Sequence, residues 1–335
     1  MHIRGACMPS DFDIGMMFRC HNPPEQLITF VQQVETAGFD EVWIVEDCFY
    51  AGAVASVATA LSHTESIPVG LGIMPAVVRN AAFSAMEMAA LLRLFPGRFL
   101  PGFGHGVTDW MKQIGAFPKS QLTALEEVTT IVRQLLAGET VTFSGQTVSL
   151  DDVKLDFPPA EVPVISLGVR GPKSLQLAGR VTDGTLLSEY SSAVYIAWAI
   201  EQIKQGQQAA GKADEPHRVT VYTFCAVDEN REAAYVRMRP RVAEGIASGQ
   251  LKSYLDPLGL TEAANELAAG GLEHVQRELP DEWVAKLAVV GTPEECKASI
   301  EALVYAGADS VVLVPVEPND RALHKYMRLL LPLFD

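Results

Sequence analysis

The chain has 335 residues, a formal net charge of −15 and 48% hydrophobic residues. This length suits one α/β barrel or two smaller domains, and the acidic charge argues against a general binder of nucleic acid or of anionic membranes. The sequence has no apolar stretch long enough to span a membrane and no basic-then-apolar leader, and its five cysteines form no CxxC pair. We therefore expect a cytoplasmic, reduced protein without a structural metal.

Apolar runs and helical periodicity predict alternating strands and helices along the first half of the chain. Strands are predicted at 3–8, 42–45, 69–74 and 99–104, helices at 24–37, 53–63, 80–95 and 121–137, and a hairpin at 140–150. The helix at 80–95 is apolar almost all round. We therefore expect it to be covered on two sides, either by a second subunit or by the chain's own insertion.

The alternation continues in the second half and predicts the fold class. Strands are predicted at 163–167, from about 184, at 219–227 and at 310–314, and helices from 172, at 194–209, 294–306 and 321–331. The connection over about 237–290 is too long for one crossover helix, so it reads as an insertion after strand seven with short helices near Leu267 and Trp283. Eight strands alternating with helices predict a single-domain (β/α)8 TIM barrel over residues 1–335.

Glycines and polar residues follow several of the predicted strands, where a parallel barrel builds its active site. The residues after strands two to five are Glu46, Asp47 and Cys48; Gly72 and Ile73; Gly104 and His105; and Gly168 to Pro172. Glycines at several strand ends leave room for a flat ligand. A single Gly-x-Gly is weak evidence, since barrels also use glycine at corners.

The loop from Gly168 to Pro172 has the features of an anion site. Its two glycines let the backbone turn sharply and approach a ligand, and Pro172 suits the first position of a helix. Backbone N–H groups at such a helix start favour an anion such as phosphate, and Arg170 adds a fork of donors. The alternative is an ordinary connection with a solvated Arg170.

Several segments, taken in order, resemble the luciferase-like superfamily of flavin- and deazaflavin-dependent oxidoreductases. They span 37–43, 69–73, 97–106, 167–184, 291–295 and 306–309. Within that superfamily the chain is most similar to the coenzyme F420-dependent branch that includes methylenetetrahydromethanopterin reductase. The resemblance implies a bacterial luciferase-like barrel that transfers a hydride between F420 and a small organic substrate, with FMN as the alternative cofactor.

The resemblance also implies roles for individual residues. The cofactor's phosphate-bearing tail would be held by Gly168, Val169, Arg170, Gly171 and Pro172. Gly72 and Ile73 match the family's bulge under the ring, where a non-proline cis peptide is typical, and Gly104 and His105 would line the ring edge. His105 has a second interpretation, as a hydrogen-bonded histidine at the barrel rim.

Asp47 and Cys48 match the family's Asp-His pair after strand two, so Cys48 is a departure from the pattern. In related sugar-phosphate dehydrogenases that histidine helps to move a proton, and an acid stands where this chain has Val107, which puts that substrate and mechanism in doubt. Cys48 is then either a thiol proton donor facing the ring or a small filler. Asp47 is a general acid, a ring-positioning acceptor or a structural cap, and Glu46 and Glu189 are further candidates.

Two rival functions remain open from the sequence. One is an FMN-dependent luciferase-like monooxygenase, and the other is a non-catalytic protein that binds F420 or a flavin, which the missing histidine makes more plausible. In each case we expect a homodimer with a small-molecule ligand and without nucleic-acid or membrane partners.

Overall fold

The structure is a computed structural model that describes residues 12–334. The strands of this part of the chain are β1 (Asp13–Phe18), β2 (Glu41–Ile44), β3 (Val69–Pro75), β4 (Phe99–Gly104), β5 (Val141–Ser144), β6 (Ser149–Val153), β7 (Ser166–Gly168), β8 (Gly184–Leu187), β9 (Arg218–Val227), β10 (Val289–Gly291) and β11 (Ser310–Pro315). The helices are α1 (Leu27–Thr36), α2 (Ala53–Ser62), α3 (Ala81–Leu94), α4 (Thr108–Gln113), α5 (Gln121–Leu136), α6 (Pro172–Val181), α7 (Ala193–Ala209), α8 (Arg231–Ala247), α9 (Lys252–Leu255), α10 (Thr261–Ala268), α11 (Leu272–Glu278), α12 (Asp281–Leu287), α13 (Pro293–Tyr305) and α14 (Asn319–Leu329).

The main sheet has nine strands in the order β10-β9-β11-β1-β2-β3-β4-β7-β8, and β9 also pairs with β8. Within this sheet, the strand pairs with a described register are parallel, and helices lie between strands that are successive along the chain. Without β10, which in the described part of the chain pairs with β9 alone, the remaining eight strands have the order of a closed (β/α)8 barrel, so the predicted fold class is confirmed. The predicted hairpin is also confirmed, as the separate antiparallel pair β5-β6.

The chain divides into two compact units, of which the first comprises residues 12–16, 187–201 and 219–334. Within it, β11 pairs with the start of β1 and with β9, and β9 pairs with β10. The hydroxyl of Tyr326 on α14 donates to the carbonyl of Cys225 on β9 at 2.8 Å. A capping box between Thr292 and Glu295 begins α13, which satisfies backbone N–H groups that would otherwise lack partners.

The second unit comprises residues 17–186 and 202–218 and contains the run β2-β3-β4-β7-β8. The register of β3 against β4 shifts between Leu71 and Met74, which is the bulge that the sequence predicted. The Gly72–Ile73 peptide bond is cis, as predicted, and the Cys48–Phe49 bond is cis as well.

Most predicted helices begin and end within a few residues of the observed ones. Gly38 adopts a φ of +85° just after α1, the left-handed conformation that ends a helix at low cost for glycine. The side chain of Asn80 accepts a hydrogen bond from the backbone N–H of Ala82 and caps α3. On the outer side of α3, Phe83 and Leu94 are 62% and 70% exposed.

Three features differ from the sequence-based expectations. The predicted strand at 3–8 lies outside the described residues, and the first described strand is β1, where we predicted no element. The insertion predicted over 237–290 would start inside α8, which continues through Pro240. The short strand β10 was not predicted, whereas the short helices near Leu267 and Trp283 are present as α10 and α12.

Candidate active site

The predicted site residues of the second unit follow the carboxyl ends of neighbouring parallel strands. Asp47 and Cys48 follow β2, and Gly72 and Ile73 lie in β3. Gly104 and Gly168 are the last residues of β4 and β7, and the remaining ones follow these two strands. Because these strands are adjacent in the sheet, their carboxyl ends lie along one edge. This edge is where barrel enzymes bind their reactants.

The side chain of Ile73 lies against two glycines of the neighbouring strands. A Cβ atom added to Gly104 would come within 2.9 Å of Ile73 Cδ1, and one added to Gly168 within 2.3 Å of Ile73 Cγ2. Gly104 and Gly168 are register partners in β4 and β7. Only glycine therefore fits at both positions with Ile73 in place, and the structure brings these predicted residues together.

The loop after β7 leads directly into the N-terminus of α6. Gly171 is the N-cap residue in an extended conformation, and Pro172 occupies the first turn, as predicted. Arg170 and Pro172 are exposed, and Val169 is buried. The arrangement offers backbone N–H groups of a helix start beside a guanidinium, which suits an anionic group.

His105 connects the end of β4 to α6. Its Nε2 atom lies 3.0 Å from Ser174 Oγ. Burial lowers the pKa of His105, the charge of Arg170 acts in the same direction, and a backbone group of Gln121 opposes them. The imidazole is therefore neutral at pH 7, and its ring nitrogens serve as one donor and one acceptor.

Two cysteines belong to the surroundings of Asp47, one in contact with its carboxyl group and one next to it in the sequence. The thiol of Cys20, two residues after β1, donates to Asp47 Oδ2 at 3.1 Å. Cys48 is half-buried, and burial together with the charges of Glu46 and Asp47 raises its thiol pKa. Both sulfurs therefore carry a proton at neutral pH, so they suit hydrogen-bond or proton donation better than nucleophilic attack. Cys20 was not among the predicted site residues.

Glu46 is committed to holding the loop after β2. Its carboxylate accepts hydrogen bonds from both terminal nitrogens of Arg79, at 2.6 and 2.7 Å, and from the backbone N–H of Ala53 at 3.1 Å. The two hydrogen bonds from Arg79 form a bidentate contact, and the hydrogen bond from Ala53 fixes the start of α2. Glu46 is thus an anchor for the segment that carries Asp47.

Glu189 belongs to the first unit and follows β8. The next residue, Tyr190, has a φ of +72° and donates its hydroxyl to the carbonyl of Arg241 at 3.1 Å. Burial raises the pKa of Tyr190 to about 12. The tyrosine is therefore a neutral hydrogen-bond donor beside Glu189.

Large apolar side chains are exposed just beyond the ends of three strands in the second unit. Phe49 is 67% exposed, and Tyr50, Val78 and Val107 are also exposed. When an organic ligand or a covering segment removes such side chains from water, the free energy of the system falls. The edge that carries Asp47 therefore combines polar groups with apolar ones.

Other features of the second unit lie away from this edge. A cavity of about 370 Å³ is lined by Arg133, Arg180 and Lys212, among others, and includes none of the predicted site residues. Across residues 12–334, His, Cys, Asp and Glu side chains form no group of three placed to bind a metal ion. In the same range, no helix is both long and apolar enough to cross a membrane.

A parallel barrel with glycines, a helix N-terminus and a thiol–carboxylate pair at one strand edge has the organisation of a barrel enzyme. Residues 9–310 match the profile of the luciferase-like monooxygenase family. The chain belongs to this family, which confirms the resemblance deduced from the sequence segments.

Named relatives align along nearly the whole chain. It is 28% identical to the 5,10-methylenetetrahydromethanopterin reductase of Methanolobus tindarius over 313 residues, 91% of this chain and 95% of the relative. It is 26% identical to the F420-dependent glucose-6-phosphate dehydrogenase of Kineococcus radiotolerans over 326 residues, 92% of this chain and 93% of the relative. The solved coenzyme F420-dependent tetrahydromethanopterin reductase of Methanopyrus kandleri has the same fold, with a TM-score of 0.83, 21% identity and coverage of 97% and 100%.

Proposed function

We propose that this protein is a coenzyme F420-dependent oxidoreductase that acts on a small organic substrate. The observation that carries the proposal is the position of Ile73 against Gly104 and Gly168, where any larger residue would collide with it. The two glycines let Ile73 of the β3 bulge pack closely against β4 and β7 at the strand ends, which is where this proposal places the ring. A relative whose name states F420 dependence aligns over 92% of the chain.

The residues present fit such a cofactor in two further respects. The N-terminus of α6 with Arg170 suits the anionic tail, and the exposed apolar side chains beyond β2 to β4 suit burial against a ring or substrate. Because the net charge of the chain is −15, attraction over long distances does not favour an anion. The affinity must come from contacts within the site.

F420, when bound, supplies a hydride carrier. The protein's own residues orient the reactants, exclude water and handle protons. In this proposal Asp47 accepts a hydrogen bond from substrate or ring, the Cys48 thiol donates a proton to the substrate, and the neutral His105 hydrogen-bonds at the ring edge. Arg170 and the loop from Gly168 to Pro172 bind the tail.

The test is a turnover assay with a substrate panel. The purified protein is mixed with oxidised or reduced F420 and with secondary alcohols, sugar phosphates or methylene-pterins, and the cofactor's visible absorbance is followed without oxygen. We expect one class to change the absorbance at a rate proportional to enzyme concentration. Binding of F420 without any change in absorbance over the panel would favour a non-catalytic binding protein. The presence of Cys48 where the family has histidine also favours that alternative.

The second candidate function is an FMN-dependent monooxygenase, because monooxygenases give the matched family its name. It predicts that reduced FMN with the protein consumes oxygen and inserts one oxygen atom into a substrate. Oxygen uptake that depends on reduced FMN and on an organic substrate would support this alternative over the F420 proposal.

The assembly and location are also part of the proposal. Phe83, Met86, Ala90 and Leu94 are exposed along one stripe of α3, and we place a second copy of the chain over it in a two-fold dimer. A cytoplasmic location suits the scattered cysteines, and the described ones are free.

A further inference from the structure

The Cys20 thiol contacts the side chain of Asp47, and no role assigned above explains this contact. Its thiol donates to Asp47 Oδ2 at 3.1 Å across 27 residues of sequence, and this is the one side-chain hydrogen bond to that carboxylate within residues 12–334. The backbone of Asp47 is held separately, since the N–H of Tyr50 donates to its carbonyl at 3.0 Å. Among residues 12–334, one oxygen of the carboxylate, Oδ2, therefore accepts from a protein side chain, and Oδ1 can accept from another donor.

We propose that Cys20 is a positioning residue, whose thiol fixes Asp47 Oδ2 so that Oδ1 is presented to the substrate or cofactor. This inference rests on the proposed function, because Asp47 needs a defined orientation only if it meets a ligand. It adds β1 to the strands whose ends build the site. Asp47 remains the residue that contacts the ligand, and Cys20 acts through it.

The environment of the thiol supports donation rather than ionisation. Burial raises the pKa of Cys20 to about 12, and the hydrogen bond and charge of Asp47 act in the same direction. The sulfur also lies 3.3 Å from Nδ1 of His21. A thiol has a single hydrogen, so donation to Asp47 leaves the sulfur as an acceptor for that imidazole. Both contacts hold the thiol in one rotamer.

The first test measures the hydrogen bond without any cofactor. The alkylation rate of Cys20 by iodoacetamide at pH 8 is followed by peptide mass spectrometry in the wild type, in Asp47→Asn and in the charge control Glu25→Gln. Because the thiolate is the reactive form, we expect Asp47→Asn to speed alkylation by about tenfold or more. Glu25→Gln, which removes an exposed acid before α1, leaves the rate within twofold. Equal rates in all three proteins would overturn the proposal.

The second test separates a donor from a space-filling side chain. Cys20→Ala removes the donor and Cys20→Ser keeps one, and both are compared for F420 affinity, kcat and thermal unfolding. We expect Cys20→Ala to lower kcat by about tenfold or more with the F420 Kd within twofold, and Cys20→Ser to recover most of the loss. Equal losses in both variants, or none in either, would contradict a role through the hydrogen bond.

The two proposals fail in distinguishable ways. If the proposed function is wrong, the wild type does not bind F420, whatever the alkylation rates are. If only the role of Cys20 is wrong, the wild type binds and turns over F420 while Asp47→Asn leaves the alkylation rate of Cys20 unchanged. The proposal stays testable even if Cys20→Ala does not fold, because the alkylation experiment uses only proteins that keep Cys20.

Discussion

At the scale of single residues, the end of β2 carries the Asp47 carboxylate, which accepts a hydrogen bond from the protonated thiol of Cys20 and is followed in sequence by Cys48. Asp47 and Cys48 could be predicted as strand-end residues, because both follow an apolar strand and align with the family's Asp-His pair, from which Cys48 departs. Cys20 could not, because its contact with Asp47 spans 27 residues and depends on where β1 ends. The first strand was predicted at 3–8, and that segment and Asp13–Phe18 each combine apolar residues with one charged residue and one glycine, so their composition does not separate them.

Replacement of Cys48 tests whether its thiol is a proton donor. Cys48→Ala is expected to lower kcat on the order of a hundredfold with little change in cofactor affinity. Since burial and neighbouring carboxylates raise its pKa, the donor is present at neutral pH and is lost as pH rises through a value above the ordinary 9.0. A pH profile of kcat for wild type and variant provides the check, and unchanged turnover would make Cys48 a filler.

The contact between Ile73 and Gly168 predicts a double-mutant result. Gly168→Ala places a methyl group 2.3 Å from Ile73 Cγ2, so Ile73 must move and cofactor affinity is expected to fall by tenfold or more. Ile73→Ala on the same background removes the collision and restores part of the affinity. Cofactor titration of both single variants and the double variant measures the coupling. Additive losses of cofactor affinity would show that the side chains at positions 73 and 168 are not energetically coupled.

At the scale of elements, most helices and barrel strands could be predicted from apolar period, caps and glycine stops. α8 was not predicted, and it contains Pro240, although proline in a helix interior ordinarily removes a hydrogen bond and ends the helix. β10 escaped prediction because a three-residue strand carries too little pattern. The apolar character of α3 was visible, but its outer stripe needed coordinates.

The exposed stripe of α3 predicts self-association. Phe83 and Met86 are 62% and 52% exposed, so Phe83→Glu with Met86→Lys would place charges in any interface there. We expect sedimentation to show a wild-type dimer at micromolar concentration and a folded monomer for this double variant. Val236→Glu, at an exposed apolar position on α8, is the matched control. A monomeric wild type would exclude the α3 dimer.

At the scale of the whole molecule, the half-buried His217 couples stability to pH. Burial lowers the pKa of His217 to about 4 from 6.5, and its Nε2 lies 2.8 Å from Thr185 Oγ1. Between pH 6.5 and pH 4, His217 is protonated in the unfolded chain but remains neutral in the folded chain. Stability is therefore lost as the pH falls from 6.5 towards 4. From pH 7 to pH 5 this amounts to roughly 2 kcal/mol.

His217→Gln removes this titration. Urea unfolding at pH 7 and pH 5 is expected to show that the variant loses less stability on acidification than the wild type, by roughly 2 kcal/mol. His63→Gln, at an exposed histidine after α2, keeps the wild-type loss. Identical pH dependence in the wild type and His217→Gln would show that His217 does not titrate with folding.

The most direct test of the central claim is a fluorescence titration of the purified protein with F420 and, separately, with FMN. We expect saturable F420 binding, no FMN binding over the same range and only a modest effect of salt. Arg170→Ala should weaken F420 binding by roughly ten- to a hundredfold, as for the loss of a hydrogen bond to a charged group. The exposed Lys154→Ala control should stay within twofold. Tight FMN binding with no F420 binding would contradict the account.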